Sequence, residues 1–330
     1  MAKKKKRYIG KSFYWLRYRI GEYCLRGFVA LLPRIPHRVI VRFVSLAARL
    51  TFLLFWRFRK RMEENLSMVM GKEFHTREGR EAIAWKAWRN FAQGVYETTC
   101  TLHSSKEEIC SMVAIQGEEH LQRALARKKG VIALSAHLGN FTIIGTRLAA
   151  GGYPFSAVVK HPRDQGFARL TDRYRASVGV KTISAKPRRE AARQILKALR
   201  RNEVVLLIAD EFKSGGVEVE FLGRTAPAPR GPATLALRTG AAVIPIFSTR
   251  DAEDHLILRI GQEIDLIRTG DMQGDVTANV TLFTRHLEAA IRRYPEQWNW
   301  LGFHRNGRIS RSEMVKPKSA AADQQGPISS

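Results

Sequence analysis

Four short apolar runs, separated by helical patterns, constrain the fold of this chain more than any other feature of its sequence. The runs are residues 131–136, 155–160, 204–209 and 242–248. Each run has the length and composition of a buried strand. The helical patterns between and beside them are residues 142–150, 167–178, 188–201 and 232–239. Strands that alternate with helices predict an α/β domain whose sheet is covered by helices on both faces.

The remaining segments divide the chain into three parts. Residues 218–222 alternate polar and apolar and predict a further strand or an edge hairpin, and residues 277–293 predict a long amphipathic helix. We expect an N-terminal helical region over residues 1–62 and the α/β domain over residues 63–312. Residues 313–330 are expected to be a disordered tail because they are rich in Ser, Ala, Gln, Gly and Pro.

The N-terminal region combines apolar segments with frequent arginines. A basic run at residues 3–7 precedes two apolar segments, 14–32 and 39–58. The uninterrupted apolar stretch at 50–56 is far shorter than the ~20 residues of a membrane span. We therefore predict helices that lie in a membrane interface and no cleaved signal peptide. A single tilted span is one alternative, and an ordinary pair of core helices is the other. The aromatic side chains expected to insert are Trp15, Phe28, Phe43, Phe52, Phe55 and Trp56.

The charge balance predicts an anionic partner. Lys and Arg number 56 against 30 Asp and Glu, which gives a formal net charge of +26. This excess fits nucleic acid, an acidic membrane leaflet or a phosphorylated lipid. Nucleic acid is not the expected partner, because the sequence has no aromatic RNA-binding motif, zinc-ligand spacing or recognisable recognition helix. The three cysteines have no paired spacing, which predicts a reducing compartment and no metal site.

His137 is the first candidate for chemistry. It follows an apolar run directly, and Gly139 and Asn140 then turn the chain into a helical pattern. Functional groups in α/β sheets collect beyond the carboxyl ends of strands. A histidine in that position can act as a general base because the ordinary pKa of the residue type lies near neutrality. A structural role is the alternative, and this segment alone does not choose between them.

A second candidate segment follows the third apolar run. Asp210 and Glu211 stand just past that run, so we expect their carboxylates at the same edge as other strand ends. Further on, Gly231 opens a helix with a proline in its first turn, and Arg224 and Arg230 flank it. A helix N-terminus beside two arginines can hold an anion or a developing oxyanion. A solvated surface loop is the equal alternative.

These segments together resemble a known family. They comprise HLGN after a strand, an aspartate at a strand end, and the pattern FLGRxAxxxxGPAxLALRTGAxVIPIF at residues 221–247. This combination is similar to the bacterial lipid A late acyltransferases of the lysophospholipid acyltransferase superfamily. The likeness extends over nearly the whole chain. It includes residues 65–66, 117–118 and 295–298, and Arg175 with Gly179.

The resemblance implies a fold, a reaction and a location. The fold is a glycerolipid acyltransferase-like central mixed sheet flanked by helices. The reaction is acyl transfer from acyl carrier protein, or coenzyme A, to a hydroxyl of a lipid A-type glycolipid at the cytoplasmic face of the bacterial inner membrane, without cofactor or metal. The implied catalytic residues are His137 as general base and Asp210, to which we add Glu211. The expected substrate-binding residues are Asn140, Arg175, Arg224, Arg230 and Gly231.

Position 142 departs from the family pattern. The family motif is H-x4-D/E, whose carboxylate orients the histidine and stabilises its protonated form. Here the position holds Thr142, whose hydroxyl carries no charge. Three explanations are open. A carboxylate from elsewhere in the chain replaces the family's acid, or the site works with a weaker dyad or on a different acyl group. The third, a catalytically degraded protein, is the least favoured because the histidine is retained. The candidate carboxylates are Asp210, Glu211, Glu218 and Glu220.

The basic excess fits the partners that the resemblance implies. Acyl carrier proteins are acidic, and phosphorylated lipids and anionic membranes would attract the same charge. One basic helical stripe is a candidate docking surface, although a solvated helix face explains it equally well. Aminoacyl transfer to lipid A is the alternative reaction, and a non-catalytic member of the same fold is another. The stripe consists of Arg188, Arg189, Arg193, Lys197, Arg200 and Arg201.

Overall fold

The computed structural model of the chain describes residues 2–70, 73–212 and 216–301, with side chains from residue 16 onward except at residue 17. The predicted tail and the predicted insertion of Trp15 therefore lie outside the described residues. The described strands are β1 (Val113–Gln116), β2 (Val131–Ser135), β3 (Phe155–Val159), β4 (Lys181–Ser184), β5 (Val204–Ile208), β6 (Val217–Phe221), β7 (Arg224–Ala228), β8 (Ala242–Arg250) and β9 (Leu256–Ile260).

The helices lie before, between and after these strands. Two short 3-10 turns, Leu32–Arg34 and Pro295–Gln297, accompany them. The described helices are α1 (Ala2–Leu31), α2 (His37–Leu54), α3 (Trp56–Met70), α4 (Arg77–Cys100), α5 (Lys106–Met112), α6 (Glu118–Ala126), α7 (Ile143–Ala150), α8 (Gln165–Ser177), α9 (Arg188–Arg200), α10 (Gly231–Thr239) and α11 (Met272–Arg293).

Seven of the described strands form one mixed sheet, in the order β1-β9-β8-β2-β5-β3-β4. The five strands from β8 to β4 are parallel, β9 is antiparallel to β8, and β1 is parallel to β9. Strands β6 and β7 pair separately as an antiparallel hairpin. The predicted α/β fold with a central mixed sheet flanked by helices is confirmed.

Strand β2 is buried on both faces, as its apolar composition predicts. Ile132 and Leu134 pack into one hydrophobic cluster with side chains of α9, α10 and α11. Val131 and Ala133 pack into a second cluster with side chains of α6 and α7. Because successive side chains of a strand point to opposite faces, this alternation places β2 between two helical layers. Polar side chains that follow β2 can therefore reach solvent only beyond the end of the strand.

Local sequence fixes the ends of helices α10 and α11. Asp271 caps α11 by accepting hydrogen bonds from the backbone N–H groups of Gln273 and Gly274. Helix α10 carries Pro232 in its first turn and ends at Gly240, whose φ is +70°. Proline fits a first turn because it lacks an N–H, and glycine fits the left-handed residue that closes a helix.

Helix α2 presents an apolar surface. Helix α2 packs Ile40, Ala48 and Phe52 inward, and its opposite face is apolar and exposed. Among the described residues, no helix is by itself long and apolar enough to cross a membrane, whereas α2 and α3 meet that requirement together but bend by 82° between them. The exposed side chains of α2 are Val39, Val41, Phe43, Leu46, Leu50, Leu53 and Leu54.

Two N-terminal expectations need correction. The apolar segment predicted at 39–58 is broken near Phe55, where α2 ends and α3 begins. Phe52 is not available for membrane insertion, because it is buried and its ring centroid lies 5.3 Å from that of Trp85. Phe43 and Trp56, by contrast, are exposed, as the insertion hypothesis requires.

Candidate active site

Neighbouring strands bring His137 and Asp210 together. Strands β2 and β5 pair with Ser135 opposite Ile208, and each candidate residue lies two positions beyond its strand. Parallel strands end at the same edge of a sheet, so the two side chains meet there. His137 Nδ1 lies 2.8 Å from Asp210 Oδ1, and the His137 backbone N–H donates to Oδ2 over 2.8 Å. The register of β2 and β5 thus builds a histidine–aspartate pair.

Asp210 is buried, with its carboxylate held by three N–H donors. Its side chain is only 2% exposed. The third donor is the indole Nε1 of Trp298, at 2.8 Å from Oδ2. Trp298 is itself held by Trp300, with ring centroids 4.8 Å apart. Three hydrogen bonds compensate the loss of hydration that a buried carboxylate suffers.

The aspartate determines where His137 carries its proton. An ionised carboxylate only accepts hydrogen bonds, so Nδ1 carries the hydrogen and the lone pair of the neutral ring is on Nε2. The His137 side chain is 25% exposed and contacts Phe141 edge-on, at 4.8 Å between ring centroids. An imidazole that is oriented from one side and reaches the surface has the geometry of a general base.

The turn after His137 requires glycine at position 139. The φ of Gly139 is +57°, and a Cβ there would lie 1.9 Å from the backbone oxygen of Ser248 in β8. The N–H of Gly139 donates to the carbonyl of Gln297 at 2.8 Å, and that of Asn140 donates to Ser248 at 3.2 Å. The turn is therefore fixed between β8 and the segment that carries Trp298.

We expect Gly139→Ala to lower the free energy of unfolding by at least ~2 kcal/mol, because backbone strain and steric overlap add. Thermal unfolding of the purified variant measures this. The matched control is Gly152→Ala, since Gly152 has φ +87° but no atom within 4 Å of an added Cβ. The control should share the strain without the overlap, and equal losses in both variants would contradict a fixed turn.

Thr142 belongs to a cluster that links this turn to α4. Its Oγ1 donates to Asn140 Oδ1 at 2.7 Å and lies 2.7 Å from Thr98 Oγ1. Asn140 Nδ2 donates in turn to Glu97 Oε2 at 3.1 Å. A carboxylate from another helix therefore reaches, through Asn140, the position where the family motif has its acid.

Glu97 and Arg250 form the ionic part of the cluster. Arg250 Nη2 lies 2.6 Å from each carboxylate oxygen of Glu97, and Nε donates to Asn90 Oδ1 at 2.8 Å. The Arg250 side chain is only 6% exposed. Burial raises the pKa of Glu97, and the neighbouring Arg250 opposes that rise. Removal of Glu97 would leave the buried Arg250 with the more distant carboxylate of Asp254, 3.7 Å from Nε, as its acidic neighbour among the described residues.

A cavity of about 520 Å³ lies beside the Glu97–Arg250 pair. It is enclosed by α2, α4 and the connection between β8 and β9, and its volume is in the range of ligand-binding pockets. Its wall combines this ion pair with apolar side chains. The apolar lining residues include Val41, Val44, Met112 and Leu256.

The carboxylates that were candidates to replace an acid at position 142 lie in different places. Asp210 lies against the imidazole, and Glu211 follows it as a half-buried residue. Glu218 and Glu220 are exposed on β6, whose alternate residues are buried. Since strand side chains alternate, both glutamates point to the outer face of the hairpin. Direct contact with His137 therefore falls to Asp210 among these candidates.

Arg175 lies near the far edge of the sheet. It donates to Asp172 at 2.7 Å and to Thr182 of β4 at 3.0 Å. Strand β4 is three strands from β2, which corresponds to roughly 14 Å at ~4.8 Å per strand. Its expected role in positioning an anionic substrate remains a prediction.

The helix that Gly231 opens is oriented toward the site. A Cβ on Gly240, just after α10, would lie 3.4 Å from the side chain of Lys129, which precedes β2. The C-terminal end of α10 is thus at the amino edge of the sheet, and its N-terminal end points toward the carboxyl edge. Arg230 donates to Gln273 at 2.6 Å. Arg224 begins β7 and is half-buried.

One surface turn groups metal-type ligands within the described residues. Asp251, Glu253 and His255 bring ligand atoms within 4.8 Å of one another. Glu253 and His255 are exposed, and exposed acidic groups of this kind are common in proteins without an ion. This turn adjoins Arg250 but contributes nothing to the His137–Asp210 pair.

A base oriented in this way suits transfer of an acyl group to an alcohol, and comparison with known proteins gives the same class, an acyltransferase. The chain belongs to the family of bacterial lipid A biosynthesis acyltransferases, whose model matches residues 8–305. The resemblance seen in the sequence is therefore confirmed.

Individual relatives carry another acceptor in their names. The chain is 29% identical over 185 residues to the phosphatidylinositol mannoside acyltransferase of Mycolicibacterium smegmatis, an alignment that covers 56% of this chain and 59% of the relative. It is 33% identical over 190 residues to the protein of that name in Mycobacterium tuberculosis, covering 57% and 58%. The alignments thus span about three fifths of the relatives' length.

Proposed function

We propose that this protein transfers a fatty acyl chain from a thioester donor, acyl carrier protein or coenzyme A, to a hydroxyl of a glycolipid. The observation that carries the proposal is the 2.8 Å pairing of His137 Nδ1 with buried Asp210 at the carboxyl edge of the sheet. The family description names lipid A, and the relatives' names give phosphatidylinositol mannoside. A lipid A-type glycolipid is our first choice of acceptor, and a phosphatidylinositol mannoside-type lipid is the second.

The reaction requires one base and no cofactor. Nε2 of His137 takes the proton of the acceptor hydroxyl as its oxygen attacks the thioester carbonyl and forms a C–O bond. The tetrahedral intermediate then expels the thiolate as the C–S bond breaks, and the thiolate receives the proton from the imidazolium. Asp210 stabilises the imidazolium between these two steps. The products are an ester and a free thiol.

The oxyanion of the intermediate requires hydrogen-bond donors other than the backbone N–H groups that hold the reactive turn, by which we mean residues 137–140. The backbone N–H groups of His137, Gly139 and Asn140 already donate within the protein. The N-terminal end of α10, which carries Arg230, points toward this edge, and a helix N-terminus beside a cationic side chain favours an anionic group. We therefore assign the stabilisation of anionic groups to this region.

The acceptor side of the proposal rests on the apolar surface of α2. A row of exposed apolar residues that includes Phe43, Leu50 and Leu53 lies on the face of α2 turned away from the protein, and α2 also forms one wall of the cavity. Apolar side chains beside basic residues favour attachment to an anionic lipid surface. We propose that this surface attaches the enzyme to the cytoplasmic face of the inner membrane.

We expect the triple variant Phe43→Gln, Leu50→Gln and Leu53→Gln to bind vesicles of phosphatidylethanolamine and phosphatidylglycerol at least ~10-fold more weakly, because insertion of each side chain contributes on the order of 1 kcal/mol or more. Co-sedimentation with the vesicles measures this. The control is Ile267→Gln with Met272→Gln, since both residues are exposed apolar positions outside the N-terminal helices. Equal weakening in the control would contradict attachment through α2.

The donor side of the proposal rests on α9. This helix buries Ala191 and Ile195 and exposes the basic stripe on its other side. Because α9 follows β4, Arg188 and Arg189 stand at the same edge of the sheet as His137. An acidic carrier protein bound to this stripe would deliver its thioester along that edge.

The test supplies purified protein with palmitoyl-coenzyme A or palmitoyl-acyl carrier protein and a lipid extract from a deletion strain of the source organism. Mass spectrometry should show a lipid that has gained a palmitoyl group with at least one donor. A folded protein that acylates no lipid with either donor contradicts the proposal. A lipid that gains an amino acid when aminoacyl donors are supplied favours aminoacyl transfer instead.

A further inference from the structure

We propose that Glu97, held by Arg250, is a positioning residue that orients the reactive turn through Asn140. Glu97 would thereby supply, from α4, the negative charge that the family motif supplies at position 142. This inference rests on the proposed function, since it concerns how His137 is presented to its substrates. It assigns direct contact with the imidazole to Asp210 and support of the turn to Glu97.

Hydrogen bonds to two acceptors fix the orientation of the Asn140 amide. Its Nδ2 donates to Glu97 Oε2 at 3.1 Å and to the Gly94 carbonyl at 3.3 Å. Both partners only accept hydrogen bonds, so a flipped amide would bring an oxygen against two acceptors. Glu97 therefore fixes the amide with its oxygen toward Thr98 and Thr142.

The hydroxyl groups of Thr98 and Thr142 form an ordered chain that ends at Asn140. Thr98 and Thr142 are 2.7 Å apart, Thr142 is 2.7 Å from Asn140 Oδ1, and Thr98 is 3.1 Å from the same oxygen. Two hydroxyls have only two hydrogens for these three contacts. The two shorter contacts are satisfied when Thr98 donates to Thr142 and Thr142 donates to Asn140. The charge on Glu97 thus aligns the amide, and the amide aligns Thr142 at the start of α7.

Arg250 also reaches the turn by a second route, through Gln297. Its backbone N–H donates to Gln297 Oε1 at 2.8 Å, and Gln297 Nε2 donates back to the Arg250 carbonyl at 3.1 Å. The carbonyl of Gln297 accepts from the N–H of Gly139 at 2.8 Å. Arg250 therefore supports Gly139 through Gln297 and Asn140 through Glu97. The support of Gly139 comes from the Arg250 backbone, whereas a change in the Glu97–Arg250 ion pair acts on the turn through Asn140.

The experiment moves the negative charge from position 97 to position 142. Glu97→Gln should lower kcat by about 10- to 100-fold with little change in KM, because small displacements of a catalytic group have effects of that order. Adding Thr142→Glu to Glu97→Gln should restore most of the loss, because the new carboxylate returns a charge to the cluster at the N-terminus of α7. The assay is transfer from radiolabelled palmitoyl-coenzyme A, or the palmitoyl carrier protein if that is the active donor, to lipid extract of the deletion strain.

Control variants separate positioning from a general loss of structure. Glu78→Gln makes the same chemical change at an exposed position of α4 and should leave kcat unaltered. Asn140→Ala removes the link but leaves the ion pair in place, so it should lower kcat similarly and make Glu97→Gln cause little further loss. If Glu97→Gln does not fold in a thermal melt, Asn140→Ala carries the test alone.

Opposite results would overturn the inference. One such result is a wild-type kcat in Asn140→Ala. The other is a decrease of kcat in Glu97→Gln that the added Thr142→Glu does not restore and that adds fully to the decrease caused by Asn140→Ala. His137→Ala in the same assay distinguishes the two levels of the argument. An active His137→Ala protein would remove the proposed function, whereas an inactive one beside unaffected Glu97→Gln and Asn140→Ala proteins would remove this inference only.

Discussion

Replacing His137 with alanine should lower the rate of acyl transfer by at least ~100-fold, the usual contribution of a general base. The loss is expected mainly in kcat, because the imidazole acts on the proton that moves in the transition state rather than on the resting acceptor. Steady-state transfer of a palmitoyl group to the deletion-strain lipid extract measures the effect.

The control for this variant is His75→Ala, since His75 is an exposed histidine in the turn before α4. It should keep the wild-type rate. The folded state of His137→Ala should also survive, because its side chain is partly exposed and Asp210 retains two other donors. A folded His137→Ala protein with the wild-type rate would exclude His137 as the base.

Asp210→Asn should lower kcat by a comparable amount, on the order of 100-fold or more. The reason is that it moves the hydrogen of the imidazole from one ring nitrogen to the other. Among the described residues, Oδ2 accepts from the His137 backbone and from Trp298, whereas Oδ1 accepts from His137 Nδ1 alone. The asparagine NH₂ therefore takes the Oδ1 position, where it meets the smaller number of donors. It then donates to Nδ1, which puts the imidazole hydrogen on Nε2 and leaves no lone pair there for the acceptor proton.

The matched control is Asp271→Asn, because Asp271 is an exposed cap of α11 and asparagine caps helices as well as aspartate does. It should keep full activity. Thermal unfolding should place Asp210→Asn close to the wild type, since the side-chain volume and two of three hydrogen bonds are retained. A folded Asp210→Asn protein with undiminished kcat would contradict the assignment of the hydrogen to Nδ1.

The central strands were predictable because strands buried on both faces have a uniformly apolar composition. Strands β2, β5 and β8 lie between two helical layers, so they appear in the sequence as continuous apolar runs. Strands β1, β4, β7 and β9 were not predicted. Strand β4 lies at the edge of the sheet and has a mixed composition, and β7 contains Pro227 and belongs to the separate hairpin. Neither has the uniform apolar character that reveals a buried strand.

The candidate site was predictable only as far as it is built from strand ends. His137 and Asp210 each follow a buried strand, and parallel pairing brings such residues to one edge. Their mutual contact depends on β2 and β5 being neighbours, which one sequence does not reveal. Glu97 was missed because it lies within a helix and reaches the turn only through tertiary packing. Arg250 was missed because it lies just beyond the predicted strand and is paired with that same glutamate.

Thr142 shows why the motif alone was insufficient. Loss of the family's acid suggested that another carboxylate must contact the histidine, and the sequence offered four candidates without geometry to separate them. In the fold, the strand register assigns that contact to Asp210, and the alternation of β6 turns Glu218 and Glu220 outward. The direction of each side chain, which follows from the strand register, therefore identifies the carboxylate that contacts His137, whereas residue type alone does not.

Lipid mass spectrometry of a deletion strain of the source organism tests most directly whether His137 catalyses acylation of a glycolipid. The strain should lack one fatty acyl mass on a membrane glycolipid. Expression of the wild-type protein should restore that mass, and equal expression of folded His137→Ala should not. Restoration by His137→Ala, or a missing mass that corresponds to an amino acid, would contradict the account.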